Sequence, residues 1–364
     1  MNAIILAGGV GTRLRPLSCT RPKLLFPILN KPLLDWTLAR LAETGVKGVT
    51  LAVKFMAEMF IHRYGESTHG MKVTYSREKT PMRTGGAIKY AEDLIGREEP
   101  FLVLNGDIFT NFDYKDILNT HKEEDGIATI AIYKVDDPSR YGTVKLVEEN
   151  RVDQFVEKAP REQAPSNLIN AGVYVLDPKI FEYIPGGRPV SIEHEVFPRL
   201  AKEGKLFAHE FKGVWVDIGK PADYLRANRI LLEEETKKTG PPKNVKLKEN
   251  VKINQPIVID AGVKVGYGSQ VGPYTVIGKD VVLGENVILE NSVVFSDVTI
   301  SDNTSIKGAV IGQGATIGCN TTIMEGSIIG DYVTIQDKLT ISRDVNICHC
   351  KTVNESVSES TNVI

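Results

Sequence analysis

This 364-residue chain has little cysteine, no long apolar run and no large excess of either charge. Four cysteines are too few for a disulfide framework, so we expect a reducing, cytoplasmic setting. No apolar run approaches the roughly 20 residues that span a bilayer, and the apolar start at residues 2–7 lacks the basic flank of a signal peptide. A net charge of −2 with no basic half disfavours a nucleic-acid binder, because such binding depends on neutralising phosphates. We therefore expect neither a membrane nor a nucleic acid as partner.

Aromatic residues become scarce along the chain, which indicates two architectures. Of all the Phe, Tyr and Trp residues, only four follow position 243: Tyr267, Tyr274, Phe295 and Tyr332. Charged residues with a glycine and two prolines precede that position, as is typical of a linker. The sequence predicts a first domain over 1–233, a linker over 234–243, a repeat domain over 244–350 and a polar tail over 351–364.

The first domain alternates short apolar runs with helical patterns. Residues 3–7, 49–53 and 101–104 are typical of buried strands, whereas residues 86–95 and 222–235 have helical patterns. This alternation predicts an α/β fold with a Rossmann-like, mostly parallel sheet. Ligands of such sheets bind beyond the carboxyl ends of the strands.

An apolar residue recurs every six positions in the repeat domain. The ladder runs from Leu247 to Phe295, resumes at Ile300 after a slip, and runs from Ile311 to Ile347 after a second slip. Eighteen such hexads are the signature of a left-handed parallel β-helix of about six coils. Solenoids associate side by side, so we expect a homo-oligomer formed through this domain.

A glycine-rich turn follows the first strand. Residues 8–16, GGVGTRLRP, place several backbone N–H groups where they can face one anion, and the cations of Arg13 and Lys23 stand nearby in the sequence. The dinucleotide and Walker fingerprints both fail, because Leu14 replaces the third glycine and no Gly-Lys-Ser/Thr closes the loop. From the residues alone, a phosphate loop and a solvated basic turn both remain open.

Two aspartates stand at the ends of apolar segments. Asp107 follows the strand at 101–104, and Asp217 follows residues 214–216. Two carboxylates from distant segments can hold one Mg²⁺ and leave places for phosphate and water. An aspartate at a strand end is also a common cap or turn residue, so the residues alone leave that alternative open.

The ordered motifs resemble those of the sugar-1-phosphate nucleotidyltransferases. The match extends from the turn at 8–16 and Pro22-Lys23 to about residue 230, and the β-helix extends it over nearly the whole chain. Residues 191–198 and 201–204 resemble the mannose-1-phosphate guanylyltransferase branch in particular. The other matching motifs are Asn105-Gly106-Asp107, Tyr141-Gly142, Phe155-Val156-Glu157-Lys158, Asn170-Ala171-Gly172 and Trp215-Val216-Asp217-Ile218-Gly219.

The resemblance implies an enzyme that transfers a nucleotidyl group from a nucleoside triphosphate to a sugar 1-phosphate and releases pyrophosphate. It implies catalytic roles for Arg13, Lys23, Asp107 and Asp217, the two aspartates being the ligands of Mg²⁺. A second set is implied to bind the nucleotide: Leu6, Ala7, Gly8, Gly9, Gly11, Thr12, Glu78 and Arg83. A third set is implied to bind the sugar phosphate: Gly142, Glu157, Lys158 and Asn170.

The loop at 78–86 resembles the base-reading loop of the family. A Glu78 carboxylate facing the base accepts hydrogen bonds from guanine N1–H and N2–H₂, whereas it repels the carbonyl oxygens of uracil and thymine. We therefore expect GTP as the nucleotide, and the resemblance to the mannose-1-phosphate guanylyltransferase branch implies mannose 1-phosphate as the second substrate. A glucose-1-phosphate thymidylyl- or uridylyltransferase is the alternative. Arg83 stands where the family usually has glycine, so this loop departs from the pattern.

The sequence disfavours three other functions. A non-catalytic regulatory subunit of the same fold is disfavoured because Arg13, Lys23 and both aspartates are present. An acetyltransferase typically uses a histidine among the coils, but the sequence offers only His349 at the far end. The spacing of Cys348-His349-Cys350 does not suit zinc.

Overall fold

The computed structural model describes residues 1–239, 245–358 and 362–363. The chain divides into two compact units, the first formed by Met1–Gly9 with Leu34–Asp217, and the second by Val10–Leu33 with Ile218–Ile364. This division differs from a simple cut at residue 233, because the segment Val10–Leu33 groups with the C-terminal residues. No helix among the described residues is both long and apolar enough to cross a membrane.

The first unit is built around a ten-stranded sheet, and a separate pair of strands lies outside it. Numbered along the chain, the strands of this unit are β1 (Asn2–Ala7), β4 (Gly48–Val53), β5 (Ser67–Thr68), β6 (Met71–Arg77), β7 (Phe101–Asn105), β8 (Ile108–Thr110), β9 (Ala128–Lys134), β10 (Gly142–Val147), β11 (Arg151–Glu157), β12 (Leu168–Leu176), β13 (Leu206–Glu210) and β14 (Trp215–Asp217). The order of strands in the sheet is β10-β11-β13-β9-β12-β7-β1-β4-β6-β5, and β8 and β14 form the separate pair. The helices are α1 (Leu33–Thr44), α2 (Ala57–Tyr64), α3 (Arg83–Tyr90), α4 (Glu92–Ile95), α5 (Tyr114–Glu123), α6 (Ile180–Tyr183) and α7 (Phe197–Lys202).

The centre of the sheet is parallel, as the alternation of strands and helices predicts. Strand β1 pairs in parallel with β4 and β7, and its residues Ala3, Ile4 and Ile5 are fully buried. Beyond β7 the sheet becomes mixed, because β12 runs antiparallel to both β7 and β9. The helical pattern at 86–95 forms two helices, α3 and α4, which are separated at Ala91. One apolar core packs against this sheet, with Phe101, Tyr174 and Phe197 among its largest members.

The second unit contains the β-helix. Its strands form three parallel sheets of seven, six and seven strands, which are the faces of the solenoid. The strands are β15 (Lys246–Leu247), β16 (Lys252–Ile253), β17 (Ile257–Ile259), β18 (Lys264–Val265), β19 (Gln270–Val271), β20 (Thr275–Ile277), β21 (Val282–Leu283), β22 (Ile288–Glu290), β23 (Val293–Val294), β24 (Thr299–Ile300), β25 (Ser305–Lys307), β26 (Val310–Ile311), β27 (Thr316–Ile317), β28 (Thr322–Ile323), β29 (Ile328–Ile329), β30 (Thr334–Ile335), β31 (Thr340–Ile341), β32 (Asn346–Ile347), β33 (Thr352–Val353) and β34 (Asn362–Val363). Ladder residues form the interior, where Val271, Ile277 and Ile300 are fully buried.

One ladder residue was assigned wrongly from the sequence. Val294, and not Phe295, is the partner of Ile277 in the neighbouring coil. Val294 belongs to the interior core, so the first slip lies one hexad earlier than predicted. The Phe295 ring instead packs edge-to-face against Tyr224, with ring centroids 6.4 Å apart.

Regular secondary structure is present in parts of the predicted linker and of the predicted polar tail. Helix α8 (Pro221–Thr239) includes residues 234–239 of the predicted linker, and residues 240–243 lie outside the described residues. In the predicted tail, β33 continues one sheet in register with β30. Strand β34 continues another face by pairing with β32.

The segment Val10–Leu33 packs within the second unit. It contains the short antiparallel pair β2 (Pro27–Ile28) and β3 (Lys31–Pro32). The buried hydroxyl of Tyr224 on α8 donates a hydrogen bond to the Pro27 carbonyl, and the Asn228 side chain accepts one from the Leu29 amide at 3.0 Å. These contacts fix the segment against the helix that leads into the solenoid.

Candidate active site

The glycine-rich turn begins where β1 ends. Leu6 lies beside Asn105 of β7 in the parallel register, and Ala7 is the last residue of β1. Gly8 and Gly9 follow directly, so their backbone N–H groups emerge at the carboxyl end of a central strand. This is the position at which parallel α/β sheets bind their ligands.

The Glu78 carboxylate lies against this turn. A Cβ atom added to Gly8 would stand 3.7 Å from Glu78 Oε1 and 3.8 Å from the Lys54 Cβ atom. The other carboxylate oxygen, Oε2, accepts a hydrogen bond from the Met82 amide at 3.0 Å. Burial raises the pKa of Glu78, and the Met82 hydrogen bond and the charge of Lys54 partly oppose that rise. The structure therefore places a fixed carboxylate next to Gly8.

Arg83 begins α3 in a conformation that favours glycine. Its φ angle is 58°, in the left-handed region, and its side chain is exposed. The family that the sequence resembles usually has glycine at this position. The loop at 78–86 therefore has a backbone conformation suited to glycine at residue 83, although the residue is arginine.

The two predicted metal ligands lie at the same end of a short ladder. In the antiparallel pair of β8 and β14, Asp217 is opposite Ile108, which directly follows Asp107. The Gly106 amide donates to the Leu6 carbonyl at 3.1 Å and so joins this turn to the end of β1. The Arg140 Nη2 atom lies 3.9 Å from Asp217 Oδ2.

This pair suits a hard cation that takes part of its coordination from substrate. Carboxylate oxygens are the protein ligands that Mg²⁺ prefers, and Mg²⁺ usually keeps waters and substrate phosphates as well. Within the described ranges, no three His, Cys, Asp or Glu side chains cluster as a self-sufficient metal site. Asp107 and Asp217 therefore fit a cation bound together with a polyphosphate.

Gly142, Glu157 and Lys158 form a second group. Gly142 is opposite Glu157 in the β10–β11 ladder, and a Cβ atom on Gly142 would stand 2.7 Å from the Phe155 ring. Lys158 Nζ lies 3.3 Å from Glu157 Oε1, and the Lys158 amide donates to the Tyr141 carbonyl at 3.1 Å. Burial raises the pKa of Glu157, while Lys158 lowers it. The exposed Lys158 ammonium thus lies beside a largely buried carboxylate.

Asn170 is held on β12 at a break in the strand register. Its Nδ2 atom donates to the Tyr174 hydroxyl at 2.9 Å, and its Oδ1 atom accepts from the Gly172 amide at 3.0 Å. Gly172 has a φ of 72°, and any Cβ there would collide with Ile108. Residues 170–172 of β12 therefore lie next to β8, the strand that begins directly after Asp107.

Gly11, Thr12, Arg13 and Lys23 belong to the second unit. Gly11 adopts a φ of 65° and its carbonyl accepts a hydrogen bond from the Ser18 hydroxyl at 2.8 Å. A Cβ on Gly11 would stand 3.5 Å from the Lys23 Cβ, so the structure brings these two predicted residues together. Lys23 is buried, whereas Thr12 and Arg13 are exposed.

Sequence reasoning missed three hydrogen bonds close to the predicted site residues. The Thr84 hydroxyl donates to Glu193 Oε2 at 2.5 Å, and the Ser191 hydroxyl donates to the same oxygen at 2.7 Å. The Trp215 indole donates to the Ala171 carbonyl at 3.0 Å. Glu193 and Trp215 lie inside motifs quoted for the family resemblance, so the motifs signalled them without giving their partners.

A glycine-rich turn and paired carboxylates at strand ends are typical of α/β proteins that bind phosphorylated ligands. Comparison with known proteins identifies the family within this class. Residues 2–234 match the family model described as Nucleotidyl transferase, and residues 245–364 match the model described as GMPPB C-terminal domain. Since the first model covers more than half of the chain, the protein belongs to the nucleotidyl transferase family.

Individual relatives agree with this assignment. The chain is 41% identical over 243 residues to a probable mannose-1-phosphate guanylyltransferase 1 of Oryza sativa, covering 65% of this chain and 66% of the relative. It is 42% identical over 237 residues to the mannose-1-phosphate guanylyltransferase catalytic subunit beta of Danio rerio, covering 64% and 65%. The matched region thus spans slightly less than two thirds of the length of these relatives.

A solved structure gives a similar result. HddC from Yersinia pseudotuberculosis, complexed with GMP-PN, is 33% identical to this chain with a TM-score of 0.53. The match covers 63% of this chain and 99% of that one. The similarity supports the fold of the nucleotidyl transferase region.

Proposed function

We propose that the protein transfers the guanylyl group of GTP to mannose 1-phosphate, forming GDP-mannose and pyrophosphate. The observation that carries the proposal is the placement of Asp217 opposite Ile108, next to Asp107, at the end of the β8–β14 ladder. The similarity to guanylyltransferases named for mannose 1-phosphate gives the substrates.

Asp107 and Asp217 would hold Mg²⁺ in this proposal. A bound Mg²⁺ neutralises charge on the phosphates and fixes their geometry. The family model and the donor set support a divalent metal, and Mg²⁺ is the ion that such a set of oxygen ligands favours when phosphate is present.

The transfer itself needs little covalent chemistry from the protein. A phosphate oxygen of mannose 1-phosphate attacks the α-phosphorus of GTP, the bond from that phosphorus to the bridging oxygen breaks, and pyrophosphate leaves with the bond electrons. The attacking oxygen is already anionic near neutral pH, so no general base is required. Catalysis then depends on positioning and charge neutralisation, for which we assign Arg13 to the leaving pyrophosphate and Lys23 to the reacting phosphates.

Glu78 is our candidate for recognition of guanine. Its Met82 hydrogen bond holds one carboxylate oxygen, and the other faces Gly8 of the turn. An ionised carboxylate accepts from guanine N1–H and N2–H₂, whereas no such donor pair exists in uracil or thymine. We assign Leu6, Ala7 and Gly9 to backbone contacts with the nucleotide, and we assign the same role to Gly11, Thr12 and Arg83.

Glu157, Lys158 and Asn170 are our candidates for the sugar phosphate. Glu157 accepts hydrogen bonds from sugar hydroxyls, Lys158 contributes a point charge to the phosphate, and Asn170 supplies an amide. We assign the Gly142 backbone to sugar hydroxyls as well, and its lack of a side chain lets Glu157 and Phe155 lie close to it, because a Cβ atom there would collide with both.

Substrate choice is tested by pyrophosphate release. The full chain is assayed with Mg²⁺ and each of GTP, UTP, dTTP, ATP and CTP, against mannose 1-phosphate and glucose 1-phosphate. We expect the highest kcat/KM for GTP with mannose 1-phosphate. A preference for dTTP or UTP with glucose 1-phosphate contradicts the proposed substrates, and no release with any pair contradicts the enzyme class.

We also propose that the β-helix joins copies of this chain in the cytoplasm. Large apolar side chains are exposed on it, including Tyr267, Ile288, Met324 and Tyr332. All four cysteines are free thiols, which suits a reducing compartment. Light scattering of the full chain tests the assembly, and a monomer at micromolar concentration contradicts it.

A further inference from the structure

Asp331 is a buried carboxylate at a corner of the β-helix, and its side chain is only 1% exposed. Its Oδ1 atom accepts a hydrogen bond from the Gln313 amide at 2.7 Å. Its Oδ2 atom accepts from the Thr20 hydroxyl at 2.6 Å and from Arg21 Nη2 at 2.6 Å. One carboxylate therefore joins a coil corner to the segment that carries Arg13 and Lys23, all within the second unit.

Two other aspartates accept the same kind of hydrogen bond, from a backbone amide in the preceding coil to Oδ1, which we call the corner bond. Their surroundings differ from those of Asp331. Asp337 Oδ1 accepts from the Cys319 amide at 2.7 Å, and Asp302 Oδ1 accepts from the Glu285 amide at 2.7 Å. Both of these aspartates are exposed. The corner bond is thus a repeated structural device of the solenoid, and it alone does not require burial or an arginine partner.

Arg21 is fixed on several sides. Its guanidinium lies 5.1 Å from the centroid of the Phe295 ring, and the same Nη2 atom that contacts Asp331 also donates to Gln313 Oε1 at 3.1 Å. The interior ladder steps from Leu289 to Val294, which is one residue short of a hexad, so Phe295 lies outside it. The irregular coil therefore supplies an aromatic face for the arginine, and Asp331 supplies its counter-charge.

The segment between these contacts and the turn has little freedom. Arg21 is followed by Pro22 and by the buried Lys23, which begins a 3₁₀ turn. The Ser18 hydroxyl holds the Gly11 carbonyl, and Lys23 packs against Gly11. Displacing Thr20 and Arg21 would therefore move the backbone that presents Lys23.

We propose that Asp331 is a positioning residue for nucleotidyl transfer, which holds the Thr20–Arg21 pair and thereby fixes Lys23 and the Gly11 turn. The proposal rests on the proposed function for its kinetic consequence. A charge-assisted hydrogen bond in a buried site is stronger and more directional than a neutral one, so asparagine replaces it poorly. Positioning errors of about 1 Å can cost about 100-fold in rate.

The test compares D331N with D337N in the full chain, and D337N is the matched control for loss of a corner carboxylate. Hydrogen exchange of the amides in residues 10–33 is measured without substrate, and kcat and KM for GTP are measured with Mg²⁺. T20V is a second variant that keeps the Asp331–Arg21 pair and removes only the threonine donor. We expect D331N to speed exchange in residues 10–33 by about tenfold or more and to lower kcat/KM by about 10- to 100-fold, mainly through kcat. T20V should show a smaller effect of the same kind.

The two measurements separate the possible failures. Unchanged exchange in residues 10–33 of D331N overturns the proposal, as does unchanged kcat/KM or a D337N variant that behaves like D331N. If D331N does not fold, T20V with exchange and kinetics equal to the wild type overturns it. If the wild-type chain transfers no nucleotide, the proposed function fails, and the exchange comparison alone then decides whether Asp331 holds the segment.

Discussion

Gly142 stands directly opposite Glu157 in the β10–β11 ladder, and a Cβ atom on Gly142 would lie 2.5 Å from Glu157 Oε2. We therefore predict that Gly142→Ala displaces the Glu157 carboxylate and raises KM for mannose 1-phosphate by about tenfold or more, with KM for GTP nearly unchanged. Steady-state kinetics with each substrate varied in turn check this. Gly186→Ala is the control, because a Cβ there meets nothing within 4 Å. Equal effects of Gly142→Ala on both KM values would contradict the assignment of Glu157 to the sugar.

Glu78→Gln should reduce discrimination in favour of guanine. A bidentate carboxylate contact is worth about 1–3 kcal/mol, so kcat/KM for GTP should fall by about 5- to 150-fold while that for UTP changes little. Glu98→Gln, an exposed glutamate of the same unit, is the control. A uniform fall for all nucleotides would show that Glu78 does not recognise the base.

The pH dependence of stability should reveal the buried Glu157. Burial raises its pKa in the folded state, so the wild-type chain is favoured below the unfolded pKa and loses that advantage as pH rises through the folded pKa. The Glu157→Gln variant does not lose stability in this way, because glutamine does not ionise. Its Tm relative to the wild type should therefore be higher at pH 8 than at pH 4, as measured by thermal unfolding at both values. A difference in Tm that is the same at both pH values, or larger at pH 4, would be inconsistent with the raised pKa.

Arg83→Gly should stabilise the protein. A left-handed conformation costs an L-residue roughly 1–2 kcal/mol relative to glycine, and Arg83 has a φ of 58°. After the larger loss of chain entropy for glycine, we expect a gain of about 1 kcal/mol in the free energy of unfolding. Lys79→Gly, at an exposed position of the same loop, should instead destabilise. Urea unfolding of both variants decides the matter, and a loss of stability in Arg83→Gly would disprove the strain.

The hexad period predicted most of the solenoid because one interior position per strand must be apolar. It misplaced the first slip because Val294 and Phe295 are both apolar, and only the register of neighbouring coils shows which one lies inside. The mixed part of the sheet beyond β7, which includes β12, has no comparable period, so its pairing depended on tertiary contacts.

The sequence predicted the members of the candidate site through the family resemblance, and their roles stay predictions. Resemblance to the family selected Asp107 and Asp217, and the β8–β14 register brings their segments together. No local pattern could have selected the contact of Arg21 with Asp331, because it joins residues more than 300 positions apart. Such contacts depend on how a loop packs against one coil, which periodicity alone does not encode.

The most direct test of the account is GTP-dependent pyrophosphate release with mannose 1-phosphate in D107N and D217N. Asp153→Asn, at an exposed position of β11, is the matched control. Because each aspartate is expected to hold the divalent cation, both variants should lose at least about 100-fold in kcat and need more Mg²⁺ for half-maximal rate, while the Tm of the solenoid stays the same. Release at the wild-type rate in either D107N or D217N, with an unchanged Mg²⁺ requirement, would contradict the central claim.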